Sequence, residues 1–314
     1  MDFGCGPEIK PISQGSSGAS AMGRGAPAIA AKLEAKAASK KQGQPQNTSA
    51  TKARQIKPWP EKVRGVPNAA LRSALFGAIK KGSRNYLERE HVTSLDRLEI
   101  YYTGFRLDQG DLTVWESVLH LARLQQLAQC RFTAYAMLKF MGKTDTGKNR
   151  ILLHRRLLRL KASAVEITQN NFTYMGSLIK EAYKDEATAE YVVILDTKLT
   201  VLFPSNGFTY VDWDIRSALE GQPLAQWLHG FYSSHAQPFP IKVATLHQLC
   251  GSEANETWKF AQTLRRALDA LSSACKAHGE SFSYGIHGGL VAVAKQPSKS
   301  QQRHLLKSPQ KPRK

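Results

Sequence analysis

The twenty residues Gly142–Lys161, GKTDTGKNRILLHRRLLRLK, hold seven basic side chains (Lys143, Lys148, Arg150, Arg155, Arg156, Arg159, Lys161) against one acid, Asp145. From about Lys148 the spacing predicts a helix, because Leu153, Leu157, Leu160 and Ala164 recur at i, i+4, i+7 and i+11. Arg155 and Arg159 then point away from that apolar stripe, with Lys148 beside them and no carboxylate on the helix to pair with. A helix of this kind can lie against phosphates or enter a major groove, the alternative being an ordinary solvated basic face. A second stretch, Ala254–Ser272, turns Phe260, Leu264, Ala267, Leu268 and Leu271 inward. It shows Asn255, Trp258, Gln262, Arg265 and Arg266 outward, with Lys259 at the flank. Arg can read guanine and Gln or Asn adenine, so this helix is the better base reader, while the first, almost purely cationic, grips phosphate. Trp258 is equally consistent with packing between domains.

Gly142–Asn149 comes one residue short of the nucleotide-binding pattern G-x-x-x-x-G-K-[ST]. Its last position is Asn149, without the hydroxyl that would ligate magnesium. The preceding AYAMLKFM has helical spacing where such a loop follows a buried strand, so Gly147 reads as a turn between helices. No His-x-His, Gly-x-Ser-x-Gly or His-Glu-x-x-His occurs. The four cysteines (Cys5, Cys130, Cys250, Cys275) are dispersed and form no CxxC pair, so they read as reduced thiols. We therefore expect no enzyme activity, no metal and no cofactor.

The formal charge of +19 concentrates at the ends. Residues 1–57 carry nine Lys/Arg against three acids, and residues 295–314 carry seven against none. Such a balance favours polyanions, nucleic acid above all. No stretch reaches the roughly 18 apolar residues of a membrane span, and the amino end lacks the apolar run of a secretory signal, so a cytoplasmic location is expected.

Elements that could position the two basic helices follow from periodicity and caps. A short amphipathic helix is predicted over Asn68–Ile79, after a Trp59-pinned extended segment. A strand follows near 98–104, then a helix capped by Asp108 or Asp111, a short strand at Arg131–Phe132, and a helix Ala134–Met141 capped by Thr133. Strands are predicted after the basic helix near Ala164–Thr168, Tyr174–Ile179, Tyr191–Asp196 and Leu199–Phe203. Helix, strand, helix, basic helix and hairpin is the order of a winged helix. It recurs as Pro223–Ser234, the strand PFPIKV, Leu246–Leu249, Ala254–Ser272 and a hairpin turning at His287-Gly288-Gly289. The expected architecture is α+β: tandem winged-helix domains flanked by disordered basic tails. The tails span 1–57 and 296–314, a linker with its short helix spans 58–97, and the two domains span 98–205 and 206–295. AIAAKLEAKAASKK after Pro27 has the good helix formers of a transient helix or of a segment that folds on a partner.

The chain resembles the TrfA family of bacterial plasmid replication initiators. The resemblance rests on PWPEKVRGVPNAALRSALF (58–76), LEIYYTGFRLDQGDLTVWESVLHLAR (98–123), LLRLKASAV (157–165) and FYSSHAQPFPIKVATLHQLCGS (231–252). It implies a protein that binds directly repeated origin sites (iterons) in double-stranded DNA, helps open an adjacent AT-rich stretch and acts without hydrolysing ATP. It also implies recruitment of the host replicative helicase, contact with the initiator DnaA, and a monomer–dimer equilibrium that limits copy number. The rival reading is a tandem winged-helix repressor that occupies DNA without opening it. Carried over by position, the reading helices are Lys148–Lys161 and Asn255–Leu271. The candidate DNA contacts are Lys148, Arg150, Arg155, Arg156 and Arg159 in the first, and Asn255, Trp258, Lys259, Gln262, Arg265 and Arg266 in the second. Family members carry a sliding-clamp motif of the Gln-Leu-x-Leu-Phe type just ahead of the PWP segment. Here that place reads Lys52-Ala53-Arg54-Gln55-Ile56-Lys57, so the resemblance does not extend to a clamp contact there.

Overall fold

Trp59 anchors the start of the described chain. In the computed structural model its ring is buried among Phe203, Phe208, Tyr210 and His120, and Gly65 lies against it where a Cβ would overlap the indole. The structure describes residues 58–307 except 81, 83, 96–97, 126–128, 170–171 and 204–206. The expectations for 1–57 and 308–314, including the transient helix and the clamp-motif position, lie outside the described residues.

Strand β1 (Val63–Pro67) leads into α1, which spans only Asn68–Leu71. The helix predicted to reach Ile79 stops because Ser73 Oγ donates to Ala69 O (2.6 Å) and accepts from Leu75 N (3.3 Å), pulling the backbone out of helical pairing. Leu75 and Ile79 are buried from a different path, through β2 (Phe76–Gly77). Strands β3 (Tyr86–Val92) and β4 (Glu99–Phe105) pair antiparallel, and β5 (Leu107–Asp108) runs parallel to β2. The region expected as a linker is thus woven into sheets.

Helix α2 (Gln109–Leu124) opens with a reciprocal capping box: Asp108 accepts from Asp111 N and Asp111 accepts from Asp108 N. Then come β6 (Gln129–Thr133), α3 (Ala134–Phe140, capped by Thr133) and α4 (Gly147–Ala162, capped by Thr146). Strands β7 (Ala164–Gln169) and β8 (Phe172–Gly176) form a hairpin, as do β9 (Glu181–Asp185) and β10 (Glu190–Ile194). The strand expected at Leu199–Phe203 is instead a 3-10 helix, Thr197–Leu202, started by Asp196 accepting from Lys198 N. The remaining elements are β11 (Phe208–Asp212), α5 (Trp213–Ala218), α6 (Pro223–Ser233), β12 (Ile241–Lys242), α7 (Val243–Leu249), α8 (Thr257–Ala277), β13 (Phe282–His287), β14 (Leu290–Lys295) and α9 (Lys299–Lys307). The last falls where no fixed structure was expected. Gln301 holds it, donating to Ser233 O (2.8 Å) and accepting from Lys295 Nζ (3.2 Å).

The chain is therefore a mixed helix-and-strand protein, and its sheets repeat one pairing rule. In the first half β6 pairs with β10, whose other neighbour is β9; in the second β12 pairs with β14, whose other neighbour is β13. Each time, the strand between the first two helices takes up the returning strand of a hairpin that follows the third helix. Only the β9–β10 hairpin plays that part in the first half. The β7–β8 hairpin after α4 pairs with β4 and completes a separate four-stranded sheet, β3-β4-β7-β8.

Two apolar cores sit under these units, one centred on Trp115, Leu153 and Leu157, the other on Trp227, Phe260 and Leu268. They are tied together at several points. β1 pairs along its whole length with β11, which belongs to the first core and leads directly into α5 of the second, and Trp227 Nε1 donates to Ser73 O at 3.1 Å. Arg216 on α5 forms a fully buried ion pair with Glu116 on α2 and donates to Gln109 O (3.0 Å) and Thr113 Oγ1 (3.2 Å).

Candidate nucleic-acid interface

Helix α4 buries Leu153, Leu157 and Leu160 against the first core, as their spacing predicts. It ends at Ala162, so Ala164, expected on the same face, begins β7 and is exposed. The opposite side is less cationic than the sequence alone indicates, because carboxylates arrive from other elements. Arg159 forms a fork with the wholly buried Asp111 carboxylate of α2, Nη2 to Oδ1 at 2.7 Å and Nε to Oδ1 at 3.2 Å. Burial disfavours its charge, but the hydrogen bonds and charge of Asp111 outweigh that and raise the pKa. Arg156 turns inward as well, 12% exposed and 3.9 Å from the same carboxylate. Arg150 is exposed yet held bidentately by Asp145 in the turn before the helix, at 2.6 Å twice.

Arg159 and Arg156 are thus corrected from open phosphate contacts to inward-facing groups. Lys148 and Arg155 remain on the open face, exposed and without an ion pair among the described residues. They share a helical stripe with Ile151 and Leu158, which stand 57% and 54% exposed. Those two leucine-type residues were overlooked in the sequence. The signal was available, since they fall at i+3 from Lys148 and from Arg155.

Helix α8 starts at Thr257, so Asn255 precedes it instead of lying within it. Phe260, Leu264, Ala267, Leu268 and Leu271 are buried as expected. Asn255, Trp258, Lys259, Gln262, Arg265 and Arg266 are all exposed. Trp258 is 64% exposed, which rules out a role packed between the two halves. Its ring is covered on one side by the Lys259 ammonium at 5.2 Å, while Lys259 also lies 3.6 Å from Glu256. The open stripe ends at Asp269, whose carboxylate accepts from Tyr284 Oη at 2.6 Å.

The two hairpins differ in charge. The β13–β14 turn is the pair Gly288-Gly289, with φ of 55° and 75°, a two-residue turn that requires left-handed backbone at both positions. The β9–β10 hairpin and its turn carry Glu181, Asp185, Glu186 and Glu190 against Lys184, so it repels a phosphate backbone.

Gly142–Thr146 joins helix α3 to helix α4, and Gly147, expected as a turn between helices, is instead the first residue of α4; Gly142–Asn149 follows no strand. Cys130, Cys250 and Cys275 are buried, and burial pushes each thiol up to about 12. Among the described residues no three His, Cys, Asp or Glu side chains gather as a metal site, and no helix is long and apolar enough to cross a membrane.

A family model describing the TrfA protein matches residues 28–279. The plasmid replication initiator protein TrfA of Escherichia coli is 28% identical over 226 residues, covering 69% of this chain. The match spans 58% of that relative's own length. Among solved structures, domains 2 and 3 of RctB give a TM-score of 0.48 at 13% identity, covering 69% of this chain and 93% of that one. The Pi initiator protein in complex with iteron DNA gives 0.43 at 12% identity, covering 60% and 91%. These two scores are too low to establish a common fold.

Proposed function

The chain belongs to the TrfA protein family, and from that membership we propose that it is a plasmid replication initiator that binds directly repeated sites in double-stranded origin DNA. Two winged-helix units do the binding, with α4 and α8 as the helices presented to the duplex. The observation that carries this reading is the repeated sheet pairing, which twice leaves the third helix with an apolar face buried and a basic face open. The two faces are suited to different work. On α8, Gln262, Arg265 and Arg266 offer donors and acceptors that discriminate bases, with Trp258 and Lys259 beside them and Asn255 just ahead of the helix. On α4, Lys148 and Arg155 supply charge, and Ile151 and Leu158 suit thymine methyl groups in a major groove. The acidic β9–β10 hairpin keeps off the backbone, so the first unit engages DNA through its helix.

The same reading carries the further steps: opening of an adjacent AT-rich stretch, recruitment of the host replicative helicase with DnaA, and exchange between DNA-binding monomers and dimers in the bacterial cytoplasm. No catalytic step belongs to it. Binding to a duplex of direct repeats from the protein's own replicon, against a scrambled duplex over a salt series, tests the core of the proposal. A steep salt dependence with at least a hundredfold preference for the repeats is expected. Loss of that preference would leave a non-specific basic binder. Permanganate reactivity of thymines beside the repeats then separates an initiator from a repressor that binds without opening, and DNA-stimulated ATP hydrolysis would overturn the non-catalytic reading.

A further inference from the structure

Beneath α4, on the side away from its exposed stripe, lies a cleft of about 320 Å³. Its walls come from both halves of the molecule: the start of α2, the end of α3, the inner side of α4, and the turn from Glu220 to Pro223 between α5 and α6. Val114, Leu138, Met141, Leu152 and Leu153 make its floor apolar. Arg156 and Lys80 bring positive charge to it, and the residues Lys143 and Asn149 of the glycine-bearing turn line its rim.

The charges at this place do not balance. Two carboxylates, Asp108 and Asp111, meet three guanidinium groups. Asp108 is taken by Arg84 and Asp111 by the fork of Arg159. Arg156 is the surplus cation: among the described residues it makes no hydrogen bond, and its Nε is buried. Gly110 permits this placement, since a Cβ there would overlap the Arg156 guanidinium. Lys143 is already paired across the cleft with Glu220, whereas no ion pair holds Lys80 among the described residues. The one ion pair of Arg156 among the described residues is the long contact to Asp111, which Arg159 already holds, so its donors are unused. Burying donors without hydrogen bonds is costly, and a guanidinium fork is matched in shape by phosphate oxygens.

We propose that this cleft binds a phosphate monoester with an apolar or aromatic body, a nucleotide being of that class. Arg156 and Lys80 together match the two negative charges of the ester, and the apolar floor takes the body. The volume is at the lower end of small-ligand sites. Because the walls come from both halves, an occupant bridges α4 and the Glu220–Gly221 turn. Binding here is distinct from hydrolysis, for which the site offers no metal-ligating hydroxyl at Asn149.

Isothermal titration of the full chain, free of DNA, with adenosine 5′-monophosphate, inorganic phosphate and adenosine tests the proposal. One nucleotide per chain is expected, held at least tenfold more tightly than inorganic phosphate or adenosine. Arg156→Gln is expected to weaken it at least tenfold. Lys80→Gln, at an exposed position outside any helix or strand, is expected to weaken it at least threefold with the fold unchanged by circular dichroism. Lys299→Gln, a charge removed from the distant helix α9, is expected to change nothing. No binding of the nucleotide, equal binding to parent and Lys80→Gln, or an equal loss in Lys299→Gln overturns the site. Inorganic phosphate bound as tightly as the nucleotide overturns the role of the apolar floor.

Discussion

Asp111 has no exposed side-chain surface, and Arg159 is the guanidinium hydrogen-bonded to it. Arg159→Ala therefore removes the hydrogen-bonded fork from a buried carboxylate and leaves it only Arg156 at 3.9 Å, so a loss of about 1.5–3 kcal/mol is expected in urea unfolding, whatever happens to DNA binding. Arg155→Ala, one turn away in open solvent, is expected to leave stability unchanged. It should weaken binding to all DNA sequences alike and lower the salt slope by about one. Unequal losses on cognate and random duplexes would make Arg155 a base reader instead. His229 offers a pH test. Burial first, then the charges of Arg216 and Lys295, depress its pKa to about 3, so the folded protein keeps it neutral. Unfolding then takes up a proton between that value and the free-histidine pKa of about 6.5. Stability is accordingly lost as pH falls through this window, by about 1.4 kcal/mol per pH unit for the one proton. His229→Leu should flatten that limb by one proton, measured by unfolding at pH 6 and pH 4.5.

Helix α8 is the element on which sequence preference is expected to rest. Gln262→Ala and Arg265→Ala should each cost about 1–3 kcal/mol on the cognate repeat and far less on random DNA, read by competition binding. Equal costs on both would remove α8 as the reader. This helix and α4 were legible in advance because their buried residues recur at a helical period, and α2 and α3 were legible because Asp108 and Thr133 cap them; the cap of α4 at Thr146 was not read. Strands β3 and β9 were not. YLEREHV carries Glu88, Arg89 and Glu90 in a row and EAYKD carries Glu181, Lys184 and Asp185, and both bury almost nothing, so they show no apolar period. The assignment of hairpins to sheets was equally hidden, since β7–β8 and β9–β10 are adjacent in sequence and only their partners tell them apart. The pairing of Arg159 was out of reach for the same reason: its carboxylate lies 48 residues earlier in the chain.

Across the whole molecule, the tie between the halves centres on Arg216 and Glu116, 1% and 0% exposed at their side chains. Arg216→Ala is expected to cost about 3–5 kcal/mol, because it leaves Glu116 buried and unpaired. The double replacement Arg216→Met with Glu116→Leu is expected to recover most of that loss, measured by the same urea unfolding. The tandem order of elements was readable from periodicity. What was not readable is how firmly the two units are joined, because the joining residues are polar: Arg72 to Ser234, Arg106 to Glu253 and Gly251, Arg216 to Glu116. Polar side chains far apart in sequence carry no periodic signal.

The strand Val63–Pro67 finds its partner only at Phe208–Asp212. On a ribosome, the earlier segment emerges long before the later one exists, and Trp59 waits with it for Phe208 and Tyr210 to cover its ring. The first unit therefore cannot close until residues 208–212 have been made; its completion waits on the strand that leads into the second. A message truncated between the two units would yield a product with an unpaired strand edge and an uncovered tryptophan, a species suited to capture by chaperones and not to work on DNA.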